Sequence, residues 1–336
     1  MSKVCVIGDM HLSLKNGDPT MFKHHLKFLN WVTRFCEEKG IRDVYQTGDI
    51  FDTRRILNNN ISFHIQKFFQ EQGLEWHILL GNHDTYSKTS NQVNTPETIL
   101  SHYVTLVKDD LVTVGSVDFI PWISPQNQEK IMRQVAESNS RFCIGHFEFQ
   151  GFDMGMGHLA EHGMSHKLFQ KYEKVLSGHY HTKSQKDNVI YVGTPYQITF
   201  IDHDETKGVH IFDTETGELE FHEYPEKFFL RLEYDDGLDF DLSTVTDKWI
   251  RLTIKQKTDE KVFDKFEKEL NSHSPADLKI IENMVKHSES YQIENVDISK
   301  ATEIMAQYIN QTDFIGIDKT ELNRRMEELY GKAMLE

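Results

Sequence analysis

Cysteine is scarce in this chain of 336 residues: only Cys5, Cys36 and Cys143, far apart and each in an apolar segment, with no CxxC among them. They read as reduced core residues of a cytosolic protein, which excludes a disulfide scaffold and a thiolate zinc or redox site. Long apolar runs are absent too, so no segment reads as a membrane span. The opening "MSKVCVIGDMH" turns acidic too soon for a secretion signal. Positive charge is in short supply, with 37 Lys and Arg against 53 Asp and Glu and a net charge of −16. That balance excludes a broadly basic nucleic-acid surface, so any dealing with DNA calls for local positive charge, bound metal or a partner. No internal repeat or low-complexity tract interrupts the chain.

What is there is globular: 38% hydrophobic residues, with 22 Phe and 12 Tyr, enough for a large core and a second, smaller domain. Sixteen of the 18 histidines precede residue 226, which makes the first two-thirds the place to look for chemistry.

The apolar run "KVCVIGD" ends in Gly-Asp. Behind it, "DPTMFKHHLKFLNWVTRFCEEKG" reads as a helix, with Pro19 in its first turn and Gly40 just past its end. Phe22, Leu26, Leu29, Val32 and Cys36 make its apolar stripe, leaving His24 and His25 as expected surface groups. "DVYQTGDIFD" is again strand then Gly-Asp, residues 60–72 suit a second helix closed by Gly73, and "LEWHILLGNHD" is strand then Gly-Asn-His-Asp. Such alternation indicates an α/β layered fold whose sites collect where strands run out into loops. Strands dominate from about Tyr103 to Trp122 and from Arg141 to Glu223, with a hairpin around Thr216-Gly217. The expected architecture is two sheets packed together with helices outside. After residue 225 the pattern restarts as a small strand–helix–strand unit, "WIRLTI", "EKVFDKFEKELN" and "DLKIIE". Two amphipathic helices, "DISKATEIMAQYINQ" and "DKTELNRRMEELYGKAM", close the chain.

Five motifs stand at strand ends: Asp9-x-His11, Gly48-Asp49-x-x-Asp52, Gly81-Asn82-His83-Asp84, Gly145-His146 and Gly178-His179-x-His181. The last, "SGHYHT", is ambiguous alone, since two histidines one residue apart suit a half-buried strand end as well as a ligand pair. Five together, each led or closely preceded by glycine, are hard to obtain by packing. Asp, His and Asn donors without cysteine suit manganese, iron or zinc. A carboxylate has two oxygens to share between a pair of metals, and such a pair about 3.5–4 Å apart clamps both oxygens of a phosphoryl displacement. Asp84 reads as a turn residue orienting a neighbour. Arg54 and Arg55 read either as phosphate contacts or as a solvated pair. His158, His162 and His166 lie in a glycine-rich loop whose spacing of four would also suit one helix face and a third metal.

The set D-x-H, G-D-x-x-D, G-N-H-D, G-H and G-H-x-H is similar to the calcineurin-like metallophosphoesterase superfamily. "GDIFDTRR", "LLGNHDT", "FIPW", "CIGHFEFQG", "LSGHYHT" and "YVGTPYQITF" resemble the SbcD-type nuclease subunits of double-strand-break repair, above all the smaller recombination nucleases of T-even-type phages. The resemblance is specific through residue 225 or so and weaker beyond. It implies an α/β two-sheet sandwich flanked by helices (1–225), a small α/β cap that binds DNA (226–288), and C-terminal helices (289–336) docking an SbcC-type coiled-coil ATPase of the SMC class. It implies one metal on Asp9, His11, Asp49 and His181, and another on Asp49, Asn82, His146 and His179, with manganese favoured over magnesium. His83 matches the catalytic histidine. Asp52 stands where some relatives carry a phosphate-contacting histidine, which leaves it a role orienting a ligand. The implied protein is a DNA exonuclease and single-strand endonuclease, dimeric in a two-plus-two complex, in the cytoplasm of a host if phage-encoded. Two rivals remain at this point: a small phosphodiesterase or protein phosphatase of the same superfamily, and a binding subunit with a degenerate centre.

Overall fold

The computed structural model describes residues 2–52, 58–155, 157–236, 240–282, 306, 308–309 and 318–333, with side chains up to residue 326. Arg54, Arg55 and most of the first C-terminal helix lie outside the described residues, as do the Leu329 and Met334 side chains of the apolar stripe Leu322, Met326, Leu329 and Met334 that the last expected helix offers to the core or to a partner. The chain divides into two compact units, Met1–Asn283 and Met284–Glu336.

The first unit begins with β1 (Lys3–Ile7), a single turn α1 (Leu14–Gly17), α2 (Pro19–Lys39), β2 (Asp43–Gln46), α3 (Asn59–Glu71) and β3 (Glu75–Leu79). A hairpin of β4 (Thr85–Ser87) and β5 (Ser90–Asn94), then α4 (Thr95–Leu100) and β6 (Thr105–Val107), complete the first half. The second half runs through β7 (Val112–Val114), β8 (Val117–Ile120), α5 (Gln128–Glu137), β9 (Phe142–His146), β10 (Lys174–Gly178), β11 (Ser184–Lys186) and β12 (Val189–Tyr191). The chain then returns to the first sheet with β13 (Gly208–Asp213) and β14 (Leu219–Glu223).

Two six-stranded sheets result, ordered β14-β13-β1-β2-β3-β6 and β11-β12-β10-β9-β8-β7. Each has four neighbouring parallel strands, β1-β2-β3-β6 running to one edge of the first sheet and β12-β10-β9-β8 in the middle of the second, so their carboxyl ends emerge together. The two-fold alternation of strand side chains explains the layering. In β1, Val4 and Val6 join the core between the sheets with Tyr45, Leu79, Phe119, Phe142, Ile144 and Leu176. Cys5 and Ile7 face the other way, into the core under α2 and α3. A third core, built on Cys143, Val175 and Tyr191, lies on the far side of the second sheet beneath Ile131 and Val135 of α5. The expected sandwich with outer helices is what forms.

α2 starts where expected: the Asp18 side chain accepts from the Met21 N–H, Pro19 fills the first turn, and Gly40 ends it at φ 66°. His24 and His25 correct the sequence reading, because both are buried, each 1% exposed. His24 donates from Nε2 to the Asp247 carbonyl at 2.7 Å and stacks on Phe228, while His25 stacks on Tyr196. These partners come from residues far along the chain, which a helical wheel cannot show.

After residue 225, β15 (Phe229–Tyr234), β16 (Trp249–Ile254) and β17 (Asp277–Glu282) form a parallel three-stranded sheet covered by α6 (Glu260–Ser272). The sequence reading missed β15. Leu232, Tyr234, Ile250, Leu252, Phe263 and Leu270 give this sheet its own core. Phe229 and Trp249 instead join the core under α2 and α3. In the second compact unit, α7 (Lys319–Ala333) matches the last expected helix. Among the described residues no helix is long and apolar enough to cross a membrane.

His25 sets a pH dependence. Burial first, then the nearby His24 and His11, push its imidazole down to about 3. Between that value and the ordinary one near 6.5, the unfolded chain holds a proton that the folded chain refuses. Stability therefore falls as pH drops through this window, by up to about 1.4 kcal/mol per pH unit for one group. Urea melts between pH 7 and pH 5 should show that loss, and His25→Gln should lessen it by the share of one group, the other buried histidines keeping theirs. An unchanged slope in the variant contradicts the assignment.

Candidate metal centre

All five motifs lie at carboxyl ends of the central parallel strands or in the loops just beyond. Strand register levels them: Ile7 pairs with Gln46, and Gly178 with His146. The exits are tight. His11, Asp49 and His179 adopt φ of 47°, 53° and 94°, a left-handed backbone that side chains normally avoid. Glycines make the close approaches feasible. A Cβ on Gly81 would lie 2.2 Å from both the Asp49 amide nitrogen and Oδ1, and one on Gly178 would lie 2.4 Å from Asp9 Oδ1.

The side chains converge in groups. Asp9, His11 and His181 offer ligand atoms within 4.8 Å of one another, as do Asp49, His146 and His179. His11 Nε2 lies 3.1 Å from His181 Nε2. Asn82 Oδ1 sits 3.0 Å from both His146 Nε2 and His179 Nδ1, and His146 Nε2 lies 3.5 Å from Asp49 Oδ2. The two imidazoles of "SGHYHT" thus separate, His179 beside Asn82 and His146, His181 beside Asp9 and His11. A third grouping joins His11, Asp52 and His83.

Surrounding groups fix the orientations. His146 donates from Nδ1 to the Thr47 carbonyl at 2.9 Å, so Nε2 is presented to the centre with its lone pair. His83 donates from Nδ1 to the Asp52 carbonyl at 3.0 Å, and its backbone N–H donates to Asp49 Oδ1 at 2.7 Å. The Asp9 carboxylate accepts the His179 N–H at 3.0 Å. Asp52 Oδ1 approaches His11 Nδ1 at 3.4 Å. Asp84, fully buried, accepts from the N–H groups of Gly81 and Phe51 at 2.9 and 3.0 Å.

Electrostatics separates the groups further. Burial lowers His146, His179 and His181, with His179 down to about 3, which keeps them in the neutral form that binds cations. Burial and then the Asp49 charge raise Asp9, and the same two causes carry Asp84 to about 7. For Asp49 itself, burial is outweighed by His146, His11 and His83, and its carboxyl is lowered. His11 is opposed by burial, yet Asp52, Asp49 and Asp9 lift it to about 9. An acidic, dry cluster of nitrogen and oxygen donors without sulfur fits divalent cations.

His158, His162 and His166 do not join it. The loop carrying them forms no α-helix, His158 and His162 are exposed, and His166 Nε2 pairs with Asp187 at 2.8 Å. A third metal on one helix face is therefore not formed. Several contributors escaped the sequence reading. Gln46 bonds to both the N–H and the carbonyl of Gly48, Trp122 stacks on His179 at 5.6 Å, and Tyr196 donates to the Met10 carbonyl. All three lie in segments that drew notice, Gln46 in "DVYQTGDIFD", Trp122 in "FIPW" and Tyr196 in "YVGTPYQITF", but no role was assigned to them there.

Residues 2–183 match the calcineurin-like phosphoesterase family, and the chain belongs to it. It is 30% identical to Exonuclease subunit 1 of Enterobacteria phage T4 over 342 residues, covering 98% of this chain and 99% of that protein. A solved structure described as GAP50, the anchor in the inner membrane complex of Plasmodium, aligns with 67% of this chain and 89% of its own at a TM-score of 0.37 and 13% identity.

Gly81→Ala tests the packing at the centre. The variant should keep its fold by circular dichroism but lose the rise in melting temperature that divalent cations give the wild type. A metal-induced rise equal to the wild type's contradicts the close approach to Asp49.

Proposed function

We propose that the protein is the nuclease subunit of a DNA-processing assembly, a metal-dependent phosphodiesterase using two divalent cations, with manganese ahead of magnesium. The observation that carries this reading is the pair of donor groups that place His179 and His181 on different neighbours. Asp9, His11, Asp49 and His181 would hold one cation, and Asp49, Asn82, His146 and His179 the other. Bound there, the cations supply Lewis acidity, lowering the pKa of an attacking water and offsetting the charge on a phosphodiester.

The chain's own residues do the rest. Asp49, grouped with His146 and His179, would be shared between the two cations. His83, tied through Nδ1 to the Asp52 carbonyl, turns Nε2 to the substrate and, in its doubly protonated imidazolium form, hands the Nε2 proton to the leaving oxygen, ending as the neutral imidazole. Asp52 keeps His11 turned toward His181. Trp122 walls the His179 ring.

DNA as substrate is supported by the name of the phage relative and by the three-stranded sheet. Register sets Arg231 opposite Arg251, and Arg251 opposite Lys279, a row of cations in a chain of net charge −16. Arg231 donates to the Phe200 carbonyl and Arg251 lies over the Phe200 ring, and a row of cations of this kind suits a phosphate backbone. Residues 226–288 then act as a DNA-binding cap. The word "subunit" in the relative's name supports an assembly. In our reading residues 289–336 dock a coiled-coil ATPase of the SMC class, the nuclease pairs with a second copy, and the complex works in the cytoplasm of a host cell.

The test is cleavage of linear duplex and single-stranded DNA with manganese, magnesium or chelator. Cleavage should need the cation, and His83→Ala should slow turnover by about 100-fold or more while manganese binding persists. A pure chain that never cuts DNA, with or without an ATPase partner, yet hydrolyses phosphopeptides, refutes the proposal.

A further inference from the structure

Lys207 is a lysine in an unusual place, only 4% exposed. A buried ammonium needs a partner for each of its three N–H groups. Lys207 Nζ has three: the His181 carbonyl at 2.9 Å, Glu205 Oε2 at 2.8 Å and Asp202 Oδ1 at 3.0 Å. Neither carboxylate is free to follow a moving lysine. Asp202 Oδ2 accepts the N–H groups of Ile198 and Thr199 at 2.9 and 2.8 Å, and Glu205 Oε1 accepts the Thr182 hydroxyl at 3.0 Å. The ammonium is therefore a fixed peg. Its third bond holds the backbone of one candidate ligand, and the Thr194 N–H secures the same His181 oxygen at 3.0 Å.

The contacts of the two histidines differ in a way that matters. His179 is steadied by Asp9 through its N–H, by Asn82 and by the Trp122 ring. His181 leaves β10 two residues later, and its backbone oxygen is held by Lys207 and Thr194. We infer that Lys207 is a positioning residue for the cation site of Asp9, His11 and His181, acting on that site and not on the site of Asn82, His146 and His179. The inference rests on the two-cation reading above.

Manganese titration of the full chain, followed by equilibrium binding and by electron paramagnetic resonance, tests it without reference to activity. The wild type should bind two ions and give the spectrum of a spin-coupled pair. Lys207→Met should bind one ion with wild-type affinity, weaken the other at least tenfold, and give a single-ion spectrum at the same ratio. Removing the lysine leaves two carboxylates without their cation, so Lys207→Met combined with Glu205→Gln serves as the charge-balanced second variant, with the same result expected. If the folded variants keep the coupled two-ion spectrum, or if both ions weaken alike, the selective role of Lys207 is wrong. A wild type that never binds two ions overturns the two-cation reading itself, and this inference with it.

Discussion

Repulsion among buried carboxylates is the constraint on which the rest of the molecule turns. Asp9, Asp49 and Asp84 are each no more than 1% exposed, and the Asp49 charge raises the other two. Burying one carboxylate is costly, and three side by side are costlier still. The fold answers with backbone N–H groups aimed at them, from His83 at Asp49, from His179 at Asp9, and from Gly81, Phe51 and Ile50 at Asp84. Imidazoles fill the remaining directions. Such a cluster is poised for cations, and the sandwich, with parallel strands of both sheets ending on one side, is what brings it together.

The chain of causes runs outward from there. Glycines next to the acidic residues let the strand exits approach to distances that any Cβ would block. The segment 194–207 reaches the metal ligands from the other side. Tyr196 bonds the Met10 carbonyl between Asp9 and His11, and Lys207 bonds the His181 carbonyl. Gln197 in the same segment accepts the N–H groups of Phe228 and Phe229 at 2.8 and 2.9 Å, where the three-stranded sheet begins. One short stretch thus touches both ligand segments of one candidate site and the base of the small sheet.

Much of this was legible in the sequence because the motifs are local. Strand, glycine and acid or histidine follow one another within a few residues, and the apolar periods mark β1, α2, β2, α3 and β3 clearly. What was not legible depends on partners distant in sequence. His24 and His25 looked like surface groups on a helix, yet Phe228 and Tyr196 cover them. Nothing in the sequence singles out Lys207, and only its burial beside Asp202 and Glu205 reveals its part. The histidines at 158, 162 and 166 had helical spacing, but glycines 155, 157 and 163 take φ of 123°, 80° and 109°, and the loop never becomes a helix. The spacing of His179 and His181 alone left a ligand pair and a strand end both open, and only the family resemblance put them on different metals. The φ of 94° at His179 turns the chain between them, and their imidazoles go to different neighbours.

The central claim is that the two histidines of "SGHYHT" serve two different cations joined at Asp49. Anomalous scattering from a crystal of the full chain grown with manganese measures this directly. The account predicts two peaks, one among Asp9, His11 and His181, the other among Asn82, His146 and His179, with Asp49 touching both. A single peak, or one ion held by His179 and His181 together, would contradict it.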